Sequence, residues 1–185
     1  MATQRLVIDG YGQVELNNVA FRRDGRIEAQ CAPDPKDFKN IPVENGMILA
    51  VDALNRVVKL PVDDSLPLAL VYSAEHMYDE RTPGLKNFKL NGTDDFYPRL
   101  GYFAVGDKWH TNTICYDDTE FASEEEFLKA LADYKKTPIY GKSDAATGAV
   151  ALTGTEPASG LILKVIEYAT MPDGQKAVKL QVFAC

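Results

Sequence analysis

The stretch from residue 161 to residue 183, LILKVIEYATMPDGQKAVKLQVF, decides the fold. Its second half alternates between two faces, with Val178, Leu180 and Val182 on one and Lys179 and Gln181 on the other. This period of two is typical of a half-buried β-strand. Between the halves, Pro172 presets φ at one turn position and Gly174 tolerates positive φ at another. The sequence therefore predicts a C-terminal β-hairpin.

One helix is predicted just before this hairpin, at about residues 123–135. Ser123 is a suitable N-cap, and Glu126 three residues later completes a capping box. Apolar residues follow at helical spacing: Phe127, Leu128, Leu131 and Tyr134. Thr137-Pro138 then ends the pattern. We expect a surface helix packed on a sheet.

The rest of the chain consists mainly of short β-patterned runs separated by turn residues. The candidate strands and hairpins are Val19–Cys31 around Asp24-Gly25, Met47–Val51 paired with Arg56–Leu60, Leu68–Tyr72, and Gly101–Tyr116. The predicted fold class is therefore mainly β: an antiparallel β-sandwich or barrel-like body with one short surface helix.

The chain is predicted to divide into three regions. Pro33 and Pro35 lack the N–H that a ladder interior needs, so residues 32–37 are interpreted as a linker after an N-terminal hairpin or arm, residues 1–40. A β-rich body with a long loop at 73–98 would span 41–116, and the helix and C-terminal hairpin would span 117–185. The competing interpretation is that residues 1–40 complete the same sheet core.

Charge and composition limit the partners. The 185-residue chain has 45% hydrophobic and 25% charged residues, which is typical of a globular protein. A net charge of −7 and a pI near 4.9 argue against nucleic acid as a partner. Neither a membrane-spanning stretch nor a signal-peptide pattern is recognisable, so we expect synthesis in the cytoplasm and no membrane partner.

The first 40 residues balance six basic against six acidic side chains, so the net negative charge lies in residues 41–185. Three of the basic residues, Arg22, Arg23 and Arg26, surround the turn of the N-terminal hairpin. A basic turn on a projecting arm suits contact with another subunit. These three arginines are the candidate protein-binding residues.

The three cysteines, Cys31, Cys115 and Cys185, are odd in number and far apart, so no closed disulfide framework is expected. We predict reduced thiols, with Cys31 and Cys115 buried on strand faces. Cys185 is expected to be the most accessible of the three.

No catalytic constellation is recognisable. His76 and His110 belong to no zinc-type spacing, and on one continuous strand His110 and Cys115 would lie on opposite faces. Gly10-Tyr11-Gly12 lacks the third glycine of a dinucleotide fingerprint. The sequence therefore predicts a protein that is not an enzyme, with no catalytic residue and no cofactor.

Two other kinds of site were weighed. The acidic pairs at 63–64, 94–95 and 117–118 offer oxygens for calcium, but none has EF-hand spacing and such pairs are usually solvated, so no metal site is predicted. Aromatic residues are dense between Tyr72 and Trp109. They suit an aromatic-lined binding surface, although core and loop anchoring is the simpler explanation.

Several short phrases resemble a group of small structural proteins of tailed bacteriophages, including phages of gut bacteria. The phrases are Glu44-Asn45-Gly46-Met47, Tyr72 to Glu80, Tyr97-Pro98-Arg99, Val105-Gly106-Asp107 leading to Thr111-Asn112, and Met171-Pro172-Asp173-Gly174 followed by Ala177 to Val182. They span residues 44 to 182, and their order carries the resemblance.

The resemblance implies a virion structural protein, a capsid decoration or auxiliary protein at the capsid surface, with no catalytic residues. Its implied partners are the major capsid protein and neighbouring copies of itself, as a homo-oligomer or within the shell. A connector or tail component stays open. The alternative from another class is a carbohydrate- or receptor-binding β module of a head fibre or tail, for which the aromatic residues would be the evidence.

Overall fold

The computed structural model describes residues 3–6, 8–15, 19, 27–28, 30–62, 65–73, 86–91 and 97–185. Within these ranges the protein is mainly β, with helix α1 at Glu124–Ala132. The strands are β1 (Thr3–Arg5), β2 (Ile27–Glu28), β3 (Ala32–Pro33), β4 (Ile48–Asp52), β5 (Val57–Lys59), β6 (Leu68–Val71), β7 (Leu100–Tyr102), β8 (Lys108–Thr111), β9 (Ile114–Asp117), β10 (Tyr140–Ser143), β11 (Val150–Thr153), β12 (Ile162–Thr170) and β13 (Lys176–Ala184).

The strands form two sheets. Sheet A has seven strands in the order β1-β9-β11-β10-β12-β13-β8, and sheet B has six in the order β2-β7-β6-β4-β5-β3. The mainly β prediction is confirmed, but both sheets are mixed, because β11 runs parallel to β9 and β3 runs parallel to β5. Helix α1 and β10 lie between β9 and β11 in the chain, which gives the length that a parallel crossover needs. Across the described residues each strand order has two ends, so the barrel-like alternative is not formed.

One hydrophobic core lies between the sheets. Ile48 and Leu70, which pair across β4 and β6, pack in the same cluster as Trp109, Ile114 and Leu180 of sheet A. Each of these five side chains is at most 1% exposed. The shared cluster gives the two sheets a sandwich-like arrangement.

Sheet B is buried on its other face as well. Leu49 and Val71 point away from the shared core and pack with Phe38, Val43 and Met47 in a second cluster. A sheet covered on both sides has continuous apolar strands rather than alternating ones. This explains why β4 and β6 read as uninterrupted apolar runs, as predicted for Leu68–Tyr72.

Helix α1 begins as predicted. The Ser123 hydroxyl accepts a hydrogen bond from the Glu126 N–H at 3.2 Å, and the Glu126 carboxylate accepts one from the Ala122 N–H at 3.0 Å. Phe127 and Leu131 are buried, and the Phe127 ring stacks on Tyr116 of β9 with 5.0 Å between centroids. The helix therefore packs on the core side of sheet A.

The C-terminal hairpin is also confirmed. Strands β12 and β13 pair in antiparallel register over nine residues each, with β-bulges near Ile162 and Ile166. Gly174 has φ 92°, the conformation that the turn was expected to require. Val178, Leu180 and Val182 are buried in the shared core, whereas Lys179 and Gln181 are partly exposed.

The predicted hairpin around Ala53-Leu54-Asn55 is present as β4 and β5. The Asp52 carboxylate accepts hydrogen bonds from the Asn55 N–H at 3.0 Å and side-chain amide at 2.8 Å, and lies 2.6 Å from Lys59 Nζ. The hydrogen bond from the Asn55 side chain, followed by that from Lys59, lowers the pKa of Asp52 to about 2. This turn is closed by side chains as well as by backbone.

The linker interpretation of residues 32–37 needs correction. Ala32 and Pro33 form β3 at the edge of sheet B, where the Ala32 N–H donates to the Arg56 carbonyl just before β5 at 3.0 Å and the Asp34 N–H donates to the Val58 carbonyl at 2.9 Å. Pro33 fits because the N–H groups on either side of it make the bonds. With β1 paired to β9 and β2 to β7, the described parts of residues 1–40 complete both sheets. The division at residues 40 and 116 stays a prediction about independent folding.

The single strand predicted at Gly101–Tyr116 is wrong in extent. Three strands occupy the region, β7, β8 and β9, separated by a turn at Gly106 with φ 98° and by residues 112–113. His110 and Cys115 therefore lie on different strands, β8 and β9. The sequence pattern missed the first break because Phe103, Ala104 and Val105 continue the apolar run, and it missed the second because Asn112 and Thr113 are only two residues between β-patterned segments.

Candidate functional site

The outer face of sheet A, defined as the side that points away from the shared core, is the candidate site. Strand register sets a row of side chains across it: Thr153 pairs with Tyr140, Tyr140 with Lys164, Lys164 with Gln181, and Gln181 with Lys108. Directly opposed residues share one face of a sheet. Five neighbouring strands thus contribute one continuous row. Thr153 at the β11 end is buried, whereas the other members are partly exposed and alternate with buried residues along their strands.

Lys164 lies at the centre of this row between two aromatic rings. Its Nζ is 5.9 Å from the centroid of Tyr140 and 5.8 Å from that of Phe183. These distances are within the range of cation–π attraction. Phe183 is 52% exposed, which leaves most of one ring face open to a partner. A hydrogen bond to the Glu156 carboxylate raises the pKa of the Tyr140 hydroxyl. The centre of the face is therefore a cationic and aromatic patch.

A second row on the same face is compensated in charge. Glu167 pairs with Lys179, and Lys179 pairs with His110. The Glu167 carboxylate lies 4.0 Å from Lys179 Nζ and 3.6 Å from His110 Nε2, and Glu15 lies 2.7 Å from His110 Nδ1. These contacts are close but poorly aligned, since neither ring nitrogen makes a hydrogen bond of good geometry. The acidic and basic side chains of this row therefore lie next to one another within the same chain.

Three lysines of the outer face make no close ion pair, although the charge of Lys142 adds to the hydrogen bonds from Thr119 in lowering the pKa of Asp117. Within the described part of the chain, Lys108, Lys142 and Lys164 make no ion pair with a carboxylate. Lys142 is exposed, and the other two are partly exposed. Positive charge without a partner is notable in a chain of net charge −7. These lysines are available to bind an acidic surface.

The buried polar groups lie elsewhere, in a cluster that we call the polar joint: Arg5, Gln13, Glu44, Asn45, Thr111, Asn112 and Thr113. At its centre, Arg5 binds both oxygens of the Glu44 carboxylate, at 3.1 and 2.6 Å. The Gly12 N–H donates to the same carboxylate at 2.5 Å. Because Glu44 is only 5% exposed, its charge needs these partners.

The other members of the polar joint tie together four segments of the chain. The Gln13 N–H donates to Asn112 Oδ1 at 2.7 Å, and the Thr113 hydroxyl donates to the Asn45 carbonyl at 2.6 Å. Asn45 also exchanges two hydrogen bonds with the backbone of Ser73, at 2.8 and 2.7 Å. Such long-range hydrogen bonds hold distant segments of the chain together. The side chains that make them therefore have a structural role.

Two of the phrases that resemble phage proteins meet in the polar joint. Gly46 has φ 88°, and a side chain there would meet both Thr111 and Thr113. A third phrase reaches it through the hydrogen bond from Gln13 Nε2 to Asp173 at 3.2 Å. Nothing in the sequence indicated that these phrases lie close together in space, because the residues that contact one another are up to 160 positions apart.

A cleft opens at one end of the sandwich. It encloses about 550 Å³ and is lined by apolar side chains that include Leu68, Phe103 and Leu161, with Lys142 and Cys185 at its polar side. Clefts of this size can bind small molecules. Its lining also includes the polar side chains of Ser143 and Ser159, and Lys142 is shared with the outer face.

The residues predicted as site members have different outcomes. Arg22, Arg23 and Arg26 lie outside the described residues, as do His76 and the acidic pairs at 63–64 and 94–95. Cys31 and Cys115 are buried, Cys185 is exposed, and none of the three forms a disulfide, as predicted. Burial raises the pKa of the Cys115 thiol. In the described ranges, no group of three or more His, Cys, Asp or Glu side chains is placed to hold a metal.

The aromatic residues between Tyr72 and Trp109 do not form an open platform where the structure describes them. Trp109 is fully buried and Phe103 is 5% exposed, with their centroids 5.5 Å apart in the core. Tyr97 is the exposed member of the described set, at 50%. Most of these rings therefore anchor the core.

Comparison with family models, with curated proteins and with solved structures finds no match for this chain. No helix in the ranges given above is long and apolar enough to cross a membrane. Fold and site together describe a mainly β protein with a partly exposed sheet face that carries lysine and aromatic side chains.

Proposed function

We propose that the protein is a structural component of a tailed-phage virion, a capsid decoration or auxiliary protein that binds the lattice of the major capsid protein. The observation that carries this proposal is the outer face of sheet A, where Lys164 lies beside the Tyr140 and Phe183 rings and where Lys108 and Lys142 add further positive charge. Aromatic rings are enriched at protein–protein interfaces, and unpaired positive charge favours association with an acidic partner surface. The proposal includes no catalytic residue and no cofactor.

The polar joint supports a structural role. Glu44 and Asn45 are residue types that also serve as catalytic groups in enzymes. Here their hydrogen bonds, to Arg5 and Thr113, hold the two sheets and the N-terminal segment together. The surface is then the part of the described protein that remains for function. A mixed, two-sheet core with a buried network is suited to carrying a rigid surface.

The test is binding to capsids. Purified protein would be mixed with empty capsids that lack it, and co-sedimentation would be measured with serum albumin as a negative control. We expect saturable binding with a fixed number of copies per capsid protein. Absence of binding at concentrations of about 100 µM would reject the proposal, because a decoration protein must occupy its sites at such concentrations.

The alternative is a carbohydrate- or receptor-binding module. The observation in its favour is the half-exposed Phe183 ring beside Tyr140, since open aromatic rings can stack on an apolar ligand face. The buried Trp109 and Phe103 cannot serve in this way. A glycan array on isolated protein would separate the two functions, because specific sugar binding without capsid binding would favour the alternative.

A further inference from the structure

We propose that the cleft at the end of the sandwich binds a small, mainly apolar molecule with one hydrogen-bonding end group, as in a medium-chain alcohol. The cleft encloses about 550 Å³, and neither Tyr140 nor Phe183 lines it. A volume of this order is typical of sites for small organic molecules. The inference does not rest on capsid binding, which is assigned to a different surface.

The inner wall of the cleft is part of the shared core. Phe103 and Leu161 line the cleft and belong to the hydrophobic cluster between the sheets, and Leu68 of β6 packs against that cluster. Phe103 is 5% exposed and Leu161 is 8% exposed, so both lie beneath the protein surface. A water molecule needs several polar partners, which such side chains do not offer, whereas apolar molecules bind well in apolar cavities. This wall therefore favours an apolar ligand.

The polar lining lies nearer to solvent. Ser159 and Lys142 are exposed, and Ser143 is partly exposed, with its hydroxyl donating to the Ile48 carbonyl at 3.3 Å. Serine hydroxyls and lysine ammonium groups donate hydrogen bonds, so Ser159 and Lys142 suit an oxygen atom at one end of a ligand. The cleft thus changes from an apolar inner wall to a polar rim, which is the order of groups in an amphipathic molecule.

The sheets hold the residues around the cleft in place. Leu68 is in β6, Ser143 is in β10, and Leu161 directly precedes β12. Phe103 follows β7 and packs on the buried Trp109, with 5.5 Å between the ring centroids. Because these walls are formed before a ligand arrives, little ordering has to accompany binding.

Trp109 gives a direct readout of the cleft. It is the only tryptophan of the chain, and it is fully buried behind Phe103. A ligand that contacts the Phe103 ring changes the packing around the indole, so the emission of Trp109 should change as the cleft fills.

Titration of the purified chain with n-octanol, without capsids, tests the proposal. Binding would be followed by saturation-transfer NMR of the octanol and by Trp109 fluorescence. We expect saturable binding with a dissociation constant below about 1 mM. Sorbitol, which has a similar size but a hydroxyl on every carbon, should not bind.

Two leucines give a matched pair of variants. Leu66 is partly exposed and lines the cleft, whereas Leu54 is 93% exposed in the turn between β4 and β5. Leu66→Asp places a charge against the apolar ligand and should weaken octanol binding by about tenfold or more. Leu54→Asp makes the same chemical change on the open surface and should leave binding unchanged.

Absence of saturable octanol binding up to about 1 mM by both methods would overturn the proposal. So would sorbitol binding as tight as that of octanol, or equal losses in Leu66→Asp and Leu54→Asp when both keep the wild-type circular dichroism spectrum. If Leu66→Asp does not fold, Leu66→Ala and Leu54→Ala make the same comparison. A loss of about threefold is then expected for Leu66→Ala alone, and unchanged binding would reject the cleft. Capsid binding is measured separately, so the proposed function and this inference can fail independently.

Discussion

The polar joint and the outer face of sheet A both contain charged residues, but these residues are buried and paired in the joint and partly exposed without a close ion pair on the face. In the polar joint, the buried Glu44 carboxylate binds the Arg5 guanidinium and accepts a hydrogen bond from the Gly12 N–H. Its charge is therefore neutralised by contacts that hold segments of the chain together. On the outer face, Lys164 lies beside two aromatic rings and makes no ion pair with a carboxylate in the part of the chain that the structure describes. The difference teaches that burial and pairing, rather than residue type, separate structural polar groups from those that can bind a partner.

Removal of Glu44 should have the largest effect on stability. Glu44→Ala leaves the Arg5 guanidinium without its carboxylate and the Gly12 N–H without an acceptor. We expect the free energy of unfolding to fall by about 3 kcal/mol, as for other broken buried pairs. Urea unfolding measures it, with Glu125→Ala as the exposed control that should change stability by less than about 0.5 kcal/mol. Equal effects of the two variants would contradict the distinction drawn above.

Two glycines give a matched test of the joint's packing. Gly46 and Gly174 both have positive φ, at 88° and 92°. A side chain at Gly46 would lie 2.5 Å from Thr113 Oγ1, whereas one at Gly174 would meet nothing within 4 Å. We expect Gly174→Ala to cost about 1 kcal/mol from strain alone, and Gly46→Ala to cost about 2 to 3 kcal/mol. Thermal unfolding compares them; a larger loss for Gly174→Ala would show that the joint is not tightly packed.

Lys164 should matter little for folding. Lys164→Gln removes a partly exposed charge and its cation–π contacts, so the free energy of unfolding should fall by less than about 1 kcal/mol. The same variant should weaken binding to capsids, because the proposed function places the Lys164 charge at that contact. Urea unfolding alongside co-sedimentation with capsids checks both. A loss of stability as large as that from Glu44→Ala would mean that the outer face is structural.

Asp52 gives a smaller, pH-dependent effect. Its pKa is lowered from 3.8 to about 2 by hydrogen bonds from Asn55 and Lys59. Because the folded-state pKa is below the ordinary value, the stabilisation is present above pH 3.8 and is lost as pH falls toward 2. We expect Asp52→Asn to show a flatter stability profile over this range. An NMR titration of Asp52 with its midpoint near the ordinary value would contradict the geometry.

Elements with a local signal could be predicted from the sequence. The capping box of helix α1 and the alternation of β13 depend on residues a few positions apart, so the pattern contains all the information needed. The runs of β4 and β6 were recognised as strands, although their burial on both faces depends on Phe38 and Val43 from elsewhere in the chain.

The remainder depended on distant contacts. Pro33 reads locally as a break, yet the parallel pairing of β3 with β5 accommodates it at a sheet edge. The polar joint depends on pairs such as Arg5 with Glu44 and Gln13 with Asn112, for which no local pattern exists. The outer face could be foreseen only in part: alternation predicted that Gln181 points outward, but its row with Lys164 and Lys108 required the strand order.

The central claim is that the outer face of sheet A is the working surface, and lysine footprinting tests it most directly. Acylation of each lysine would be measured by mass spectrometry in the free protein and in protein bound to capsids. The account predicts strong protection of Lys108, Lys142 and Lys164 on binding, with Lys39 and Lys135 unchanged. Protection of Lys39 or Lys135 while the three outer-face lysines remain reactive would contradict it.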